Sequence, residues 1–264
     1  MQKLRLRYAK RGRLRFTSHR DVARTFERAL RRAGVPMAYS QGFSPHPKVS
    51  WAGAVPTGVS SEAEYVELQL VERVEPEALR AELDSALPDG IDLLTAVEAS
   101  PGPLADRLEV SKWRIDVPGI EVDELRRAAE QLMAADSALV ERMTKDGRRT
   151  IDARAALLSA EVLEGPRPIA QRDQIRGATP RVDDWPEACA PYGILVTVVR
   201  QTTPVVRPDD VLSALRVVAG LAPSAAASAT RLEQGRLDDG GGIADPLAQD
   251  SGGDRTPAGE PAVG

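Results

Sequence analysis

Two histidines, a lysine and a row of arginines are the residues whose chemistry stands out, and all of them lie before residue 49. His19 precedes the run RDVARTFERALRR, and His46 sits in the turn SPHPK with Lys48 two residues on. Imidazoles change charge near neutral pH. Such a pair with an ammonium group could therefore serve as general acid, general base and charge stabiliser in metal-independent RNA cleavage. The same groups could instead contact RNA or fix a loop. Two histidines without a placed carboxylate make an incomplete ligand set, so no metal site is expected here.

The arginines Arg20, Arg24, Arg28 and Arg31 are spaced by four, four and three residues. On a helix that spacing draws a stripe on the side away from Phe26 and Leu30. A stripe of guanidinium groups can grip successive phosphates, or it can be a solvated face whose last arginines favour the helix C-terminal dipole. Downstream, residues 39–65 read YSQGFSPHPKVSWAGAVPTGVSSEAEY. Proline fixes φ and glycine admits unusual φ, so this loop is shaped rather than floppy. Tyr39, Phe43, Trp51 and Tyr65 lie in or beside it, as stacking platforms for unpaired bases or as core. The expected substrate or RNA contacts are Ser18, His19, Arg24, Arg28, Arg31, Gln41, Gly42, Phe43, Ser44, His46 and Lys48. In the catalytic alternative His19, His46 and Lys48 do the chemistry.

The elements that must position these groups follow from periodicity. Leu4, Leu6 and Tyr8 alternate with Arg5 and Arg7, predicting a strand with its arginines on the other face, continued through Leu14 and Phe16. Ser18 and Asp21 resemble a capping pair before a helix that Gly34 and Pro36 end. The first hundred residues read as strand, helix, strand, strand, helix, strand, with YVELQLVE as the strand before the helix PEALRAELDSAL, which has Pro76 in its first turn, and IDLLTAVEA as the fourth strand, a βαββαβ order. That order predicts an α+β protein with a ferredoxin-like domain over residues 1–105, one sheet face being left for something else. A second, smaller α+β domain, also ferredoxin-like, is expected over 106–222: the strands SKWRIDVP and YGILVTVVRQ, two helices, and a hairpin through Asp146 and Gly147. From about Pro223 the Ala/Ser and Gly/Asp-rich composition predicts a disordered tail, 223–264.

Charge is distributed unevenly. The first 48 residues carry thirteen Lys/Arg against Asp21 and Glu27, a local balance of +11, while the remainder stands at −15 and the whole chain at −4. A concentrated basic end on an acidic body suggests a local anionic partner, RNA first. The single Cys189 excludes an internal disulfide framework and any Cys-based cluster made by this chain alone. There is no GxxxxGK[ST], GxGxxG or CxxxCxxC, so nucleotide hydrolysis, dinucleotide binding and cluster chemistry find no support. With no apolar run long enough for a membrane and no secretory h-region, a cytoplasmic protein is expected.

The run from RFTSHRDV to EAEYVEL closely resembles the radical-SAM-associated family that carries the domain of unknown function 2344. The family-like positions are Ser18, His19, Asp21, Phe26, Glu27, Arg28, Ala29, Arg31, Arg32 and Gly34, then Ser40, Gln41, Gly42, Phe43, Pro45, His46, Pro47 and Ser50, and on to Pro56, Gly58, Ser61, Glu64 and Tyr65. Arg20 stands where that family more often has an apolar residue. The resemblance is strongest over 4–70 and continues to about 220. It implies a working partner, a radical SAM protein that can carry a cobalamin-binding-like region. The iron–sulfur cluster and S-adenosylmethionine are then expected in that partner, with no cofactor in this chain. The combined expectation is a non-catalytic accessory protein that binds RNA. The alternatives are a His19/His46 RNA-processing enzyme or a pure protein adaptor.

Overall fold

The computed structural model describes residues 1–144, 147–163 and 192–251. Asp146 of the expected hairpin turn, Cys189 with the stretch around it, and residues 252–264 lie outside the described residues.

The first strand, β1 (Gln2–Lys10), buries Leu4, Leu6 and Tyr8 on one side. It does not continue through Leu14 and Phe16 as expected. Gly12 takes φ +55°, a conformation open to glycine, and Gly12–Phe16 forms a 3-10 turn that leaves Phe16 exposed. Helix α1 (His19–Arg32) starts at Ser18, whose hydroxyl accepts the Asp21 N–H at 3.2 Å. Val22, Phe26, Ala29 and Leu30 face the sheet. Strands β2 (Val49–Ala52) and β3 (Ser60–Leu70), helix α2 (Pro76–Ala86) and strand β4 (Ile91–Glu98) follow. The sheet order is β4-β1-β3-β2, every neighbour antiparallel. Leu4, Leu6, Val66, Leu68, Phe26, Leu79 and Leu83 form the first core.

The second half repeats this arrangement. Strand β5 (Val110–Pro118), helix α3 (Val122–Ala134), strands β8 (Leu157–Leu163) and β9 (Tyr192–Arg200), helix α5 (Pro208–Ala219) and strand β10 (Ser228–Leu237) give the antiparallel order β10-β5-β9-β8. A separate hairpin, β6 (Leu139–Thr144) with β7 (Gly147–Asp152), and the short helix α4 (Ala153–Ala156) are inserted before β8. Trp113, Ile115, Leu125, Leu132, Leu195 and Leu215 belong to its core. The described chain is thus α+β, with a sheet-rich core and six helices.

The expected disordered tail is corrected for most of its length. Strand β10 lies in the middle of a nine-stranded sheet, parallel to β3 at Ser60 and Ser61 and antiparallel to β5. Its composition misled because its buried positions are polar: Arg231 and Gln234 are each 4 % exposed. Arg231 pairs with the buried Glu64 carboxylate and Gln234 donates to Ala63 O at 2.6 Å. Strand β11 (Ile243–Ala244) and helix α6 (Ala248–Ser251) then turn back over the far face of the first sheet. Leu247 packs there with Tyr65, Leu104 and Leu108. The face that alternation left open is covered by this chain's own C-terminal segment. Arg5, which alternation put on that face, is fully buried against Glu67 and Asp250.

Candidate functional site

The basic N-terminal segment divides into cations used internally and cations left outside. Arg5 bonds Glu67 and Asp250, and Arg7 donates to Glu62 O at 2.9 Å with Asp245 at 3.9 Å. Arg11 pairs with Glu62 and with Asp92, the latter at 2.8 Å, and the hydrogen bond to Glu62 holds its guanidinium above the ordinary value. Lys10 is buried and donates to Thr17 O at 3.1 Å; burial pulls its ammonium below its ordinary value. These four charges hold the fold together. They are not available to a partner.

The arginines of α1 are placed differently. Arg20, Arg24, Arg28 and Arg31 are all exposed, opposite the buried face. Arg24 reaches Asp21 at 3.9 Å, with both side chains more than half exposed. Arg28 donates to Thr25 Oγ1 at 3.1 Å, and Arg31 Nε to the backbone oxygen of Glu27 at 3.4 Å. Among the described residues no buried carboxylate holds any of the four. The ridge from Arg20 to Arg31 is about 17 Å long at ~1.5 Å per residue, a row of cations facing solvent.

The loop between α1 and β2 is clamped at its neck and open at its tip. Ala38 N–H bonds Gln69 O and Lys48 N–H bonds Ala38 O, each at 2.8 Å. Ser40 N–H bonds His46 O at 2.9 Å, His46 N–H bonds Ser40 Oγ at 3.1 Å, and Ser40 Oγ lies 3.1 Å from His46 Nδ1. His46 is therefore the clasp of the loop. The tip, Gln41 to Ser44, is exposed; Gly42 sits at φ +138° and the Phe43 ring lies wholly in solvent. The stiffness read from the prolines is supplied in space by these neck bonds.

Two grooves flank the clasp. One, of about 280 Å³, lies between the end of α1 and the neck, with Arg31, Glu27, Tyr39 and His46 around an apolar floor of Leu30, Val35 and Met37. The other, of about 310 Å³, runs along β2 and β3 and gathers Lys3, Lys48, His46 and Glu67. The structure thus brings Arg31 to His46, and Lys48 to His46.

It does not bring His19 to His46. His19 stands at the start of α1, edge-on to Trp51 with ring centroids 5.2 Å apart, while His46 meets the helix near Arg31. Twelve residues of helix separate His19 from Arg31, about 18 Å at ~1.5 Å per residue. A proton-transfer pair needs both groups at one bond, so this arrangement does not assemble the catalytic alternative. Ser18 is engaged as the cap of α1, its hydroxyl donating to Asp21 Oδ2 at 2.7 Å. Of the four aromatics, Tyr65 is core and Trp51 packs edge-on against Phe26, while Tyr39 and Phe43 are exposed. Sequence reasoning passed over Glu27 as a groove residue; its signal was a carboxylate set between Arg24, Arg28 and Arg31 on the outer side of the helix.

Fold and surface together define an α+β protein that carries a cationic helix ridge beside a clamped, groove-forming loop. The chain belongs to the family described as uncharacterized protein conserved in bacteria (DUF2344), whose model matches residues 3–208. That match contains every residue of the ridge, the loop and both grooves; β10 and Asp250 lie beyond it. No curated protein matches the chain. No helix among the described residues is long and apolar enough to cross a membrane.

Proposed function

We propose that this chain is a non-catalytic accessory protein that binds RNA along α1 and the 39–48 loop and presents it to a radical SAM enzyme. The observation that carries the RNA part is the row Arg20, Arg24, Arg28 and Arg31, exposed and without a buried carboxylate partner among the described residues. Guanidinium groups so placed can exchange water for phosphate at little cost in existing bonds, and they bind regardless of sequence. Phe43 at the loop tip offers a ring for stacking, and Lys48 and Lys3 extend the positive surface past His46. The clamped neck lowers the entropy lost on binding, because the site is shaped in advance. The radical SAM partner rests on the family resemblance; the cluster and S-adenosylmethionine chemistry belong to that partner. Each half, with its 4-1-3-2 strand order, is read as a ferredoxin-like unit, and the ridge belongs to the first.

The test is fluorescence anisotropy of the full chain on a short single-stranded RNA over a salt series. Replacing two phosphate contacts with Arg24→Ala/Arg28→Ala lowers the magnitude of the log K against log salt slope by about 1.4, at ~0.7 per phosphate of a single strand. Unchanged affinity and slope in the double variant would sink the phosphate reading.

A further inference from the structure

The ridge accounts for the arginines but leaves one side chain unexplained. Glu27 is half-buried at the mouth of the 280 Å³ groove, beside Arg31. Glu27 and Arg31 are spaced i, i+4 in the favourable order for an ion pair, yet Arg31 Nε goes to the Glu27 backbone oxygen at 3.4 Å. Among the described residues the Glu27 carboxylate has no hydrogen bond and no ion pair. The surface is arranged for phosphates, and a free carboxylate in it repels them. Its use must come from a neutral part of the ligand that donates hydrogen bonds.

We infer that the groove between α1 and the loop neck is a subsite for one unpaired nucleobase, and that Glu27 makes it selective for guanine. This rests on the RNA reading above. The floor of Leu30, Val35 and Met37 with Tyr39 at the side suits a flat apolar face, and the groove of about 280 Å³ has room for one base. Base edges decide the rest. Guanine presents two adjacent donors, N1–H and the N2 amine, to a carboxylate that can accept both. Cytosine and adenine each pair their amine with an adjacent ring-nitrogen acceptor, and uracil flanks its N3–H with two carbonyl oxygens, so each sets an acceptor against the carboxylate. Arg31 in the same groove supplies donors for O6. The phosphates on either side of the base would then lie on the Arg24 and Arg28 side of the helix, away from Glu27.

The experiment is an anisotropy titration of the full chain with labelled U8 and with the same octamer carrying a single central guanosine, inosine, adenosine or cytidine. A bidentate contact predicts that the guanosine octamer binds at least about fivefold tighter than the U, A and C forms. Inosine, which lacks the N2 amine, loses most of that gain with the wild-type protein. Glu27→Gln, on an outer face of α1 and checked for helix content by circular dichroism, abolishes the guanosine preference without weakening U8. Equal binding of all octamers, with Arg24→Ala/Arg28→Ala still weakening each, overturns the base subsite and leaves the phosphate reading standing. A guanosine preference that survives Glu27→Gln overturns the role of Glu27. Failure of every octamer to bind overturns both readings, and the ridge is then a docking face for an acidic protein surface.

Discussion

Asp250 is where a single substitution tests the architecture most sharply. Its carboxylate is fully buried and accepts from Arg5 at 2.9 and 3.0 Å, from Arg107 at 2.9 Å, and from the Ser100 amide at 2.8 Å. Arg5 is likewise fully buried and, among the described residues, keeps Glu67 and the Gly102 carbonyl if Asp250 is lost; Arg107, nearly as buried, has no other carboxylate among the described residues. Asp250→Ala therefore strands buried positive charge. Breaking a buried pair from one side costs about 3–5 kcal/mol. With a urea m-value of ~3 kcal/mol/M, the unfolding midpoint falls by about 1–1.7 M. The control is Arg148→Ala, whose partner Glu141 lies 3.1 Å away with both side chains more than half exposed; such a pair contributes less than about 1 kcal/mol. Burial alone would push the Asp250 pKa up, but the Ser100 hydrogen bonds and the Arg5 guanidinium outweigh it and hold the carboxyl below its usual value. A lowered pKa stabilises the fold above the unfolded value of about 3.9, and that contribution disappears as pH falls through the lower folded value. The gap between wild type and Asp250→Ala should therefore close below about pH 4. A loss under about 1 kcal/mol at neutral pH, or a gap that ignores acid, would refute the reasoning.

Two further outcomes are expected. A chain ending at residue 222 loses β10, leaves β3 and β5 with unpaired edges, and deprives the buried Glu64 of Arg231; it should be insoluble or aggregate on refolding, measured by size-exclusion chromatography beside the full chain. Tyr192 donates to the Asp116 carboxylate, and burial together with that bond pushes its phenol up to about 12. Its contribution is fully present below the unfolded value near 10 and is lost as pH rises through about 12. Ultraviolet phenolate titration against Tyr192→Phe should find it there, and Asp116→Asn should bring it down.

Periodicity alone determined much of this protein. The alternation of Leu4, Leu6 and Tyr8, the 3.6-residue recurrence of Val22, Phe26 and Leu30, the cap at Ser18 and the proline at the first turn of α2 each state a local preference that burial in the sheet then satisfies. The same spacing put four arginines on the outer face of α1, and proline and glycine content marked residues 39–65 as a shaped loop, of which the structure turns Val49–Ala52 and Ser60 onward into strands. Tertiary structure decided which charges are free. Arg5 and Arg20 read alike in the sequence, but Arg5 meets Asp250, 245 residues away, and Arg20 meets solvent. It also decided that β10 is a central strand, because Arg231 and Gln234 find buried partners on β3 that a hydrophobicity pattern cannot register. And it set His19 and His46 toward opposite ends of one helix while bringing Glu27 to the groove. Local spacing fixes the direction of a side chain along its own element. What that side chain faces depends on contacts between distant parts of the chain, which no local pattern encodes.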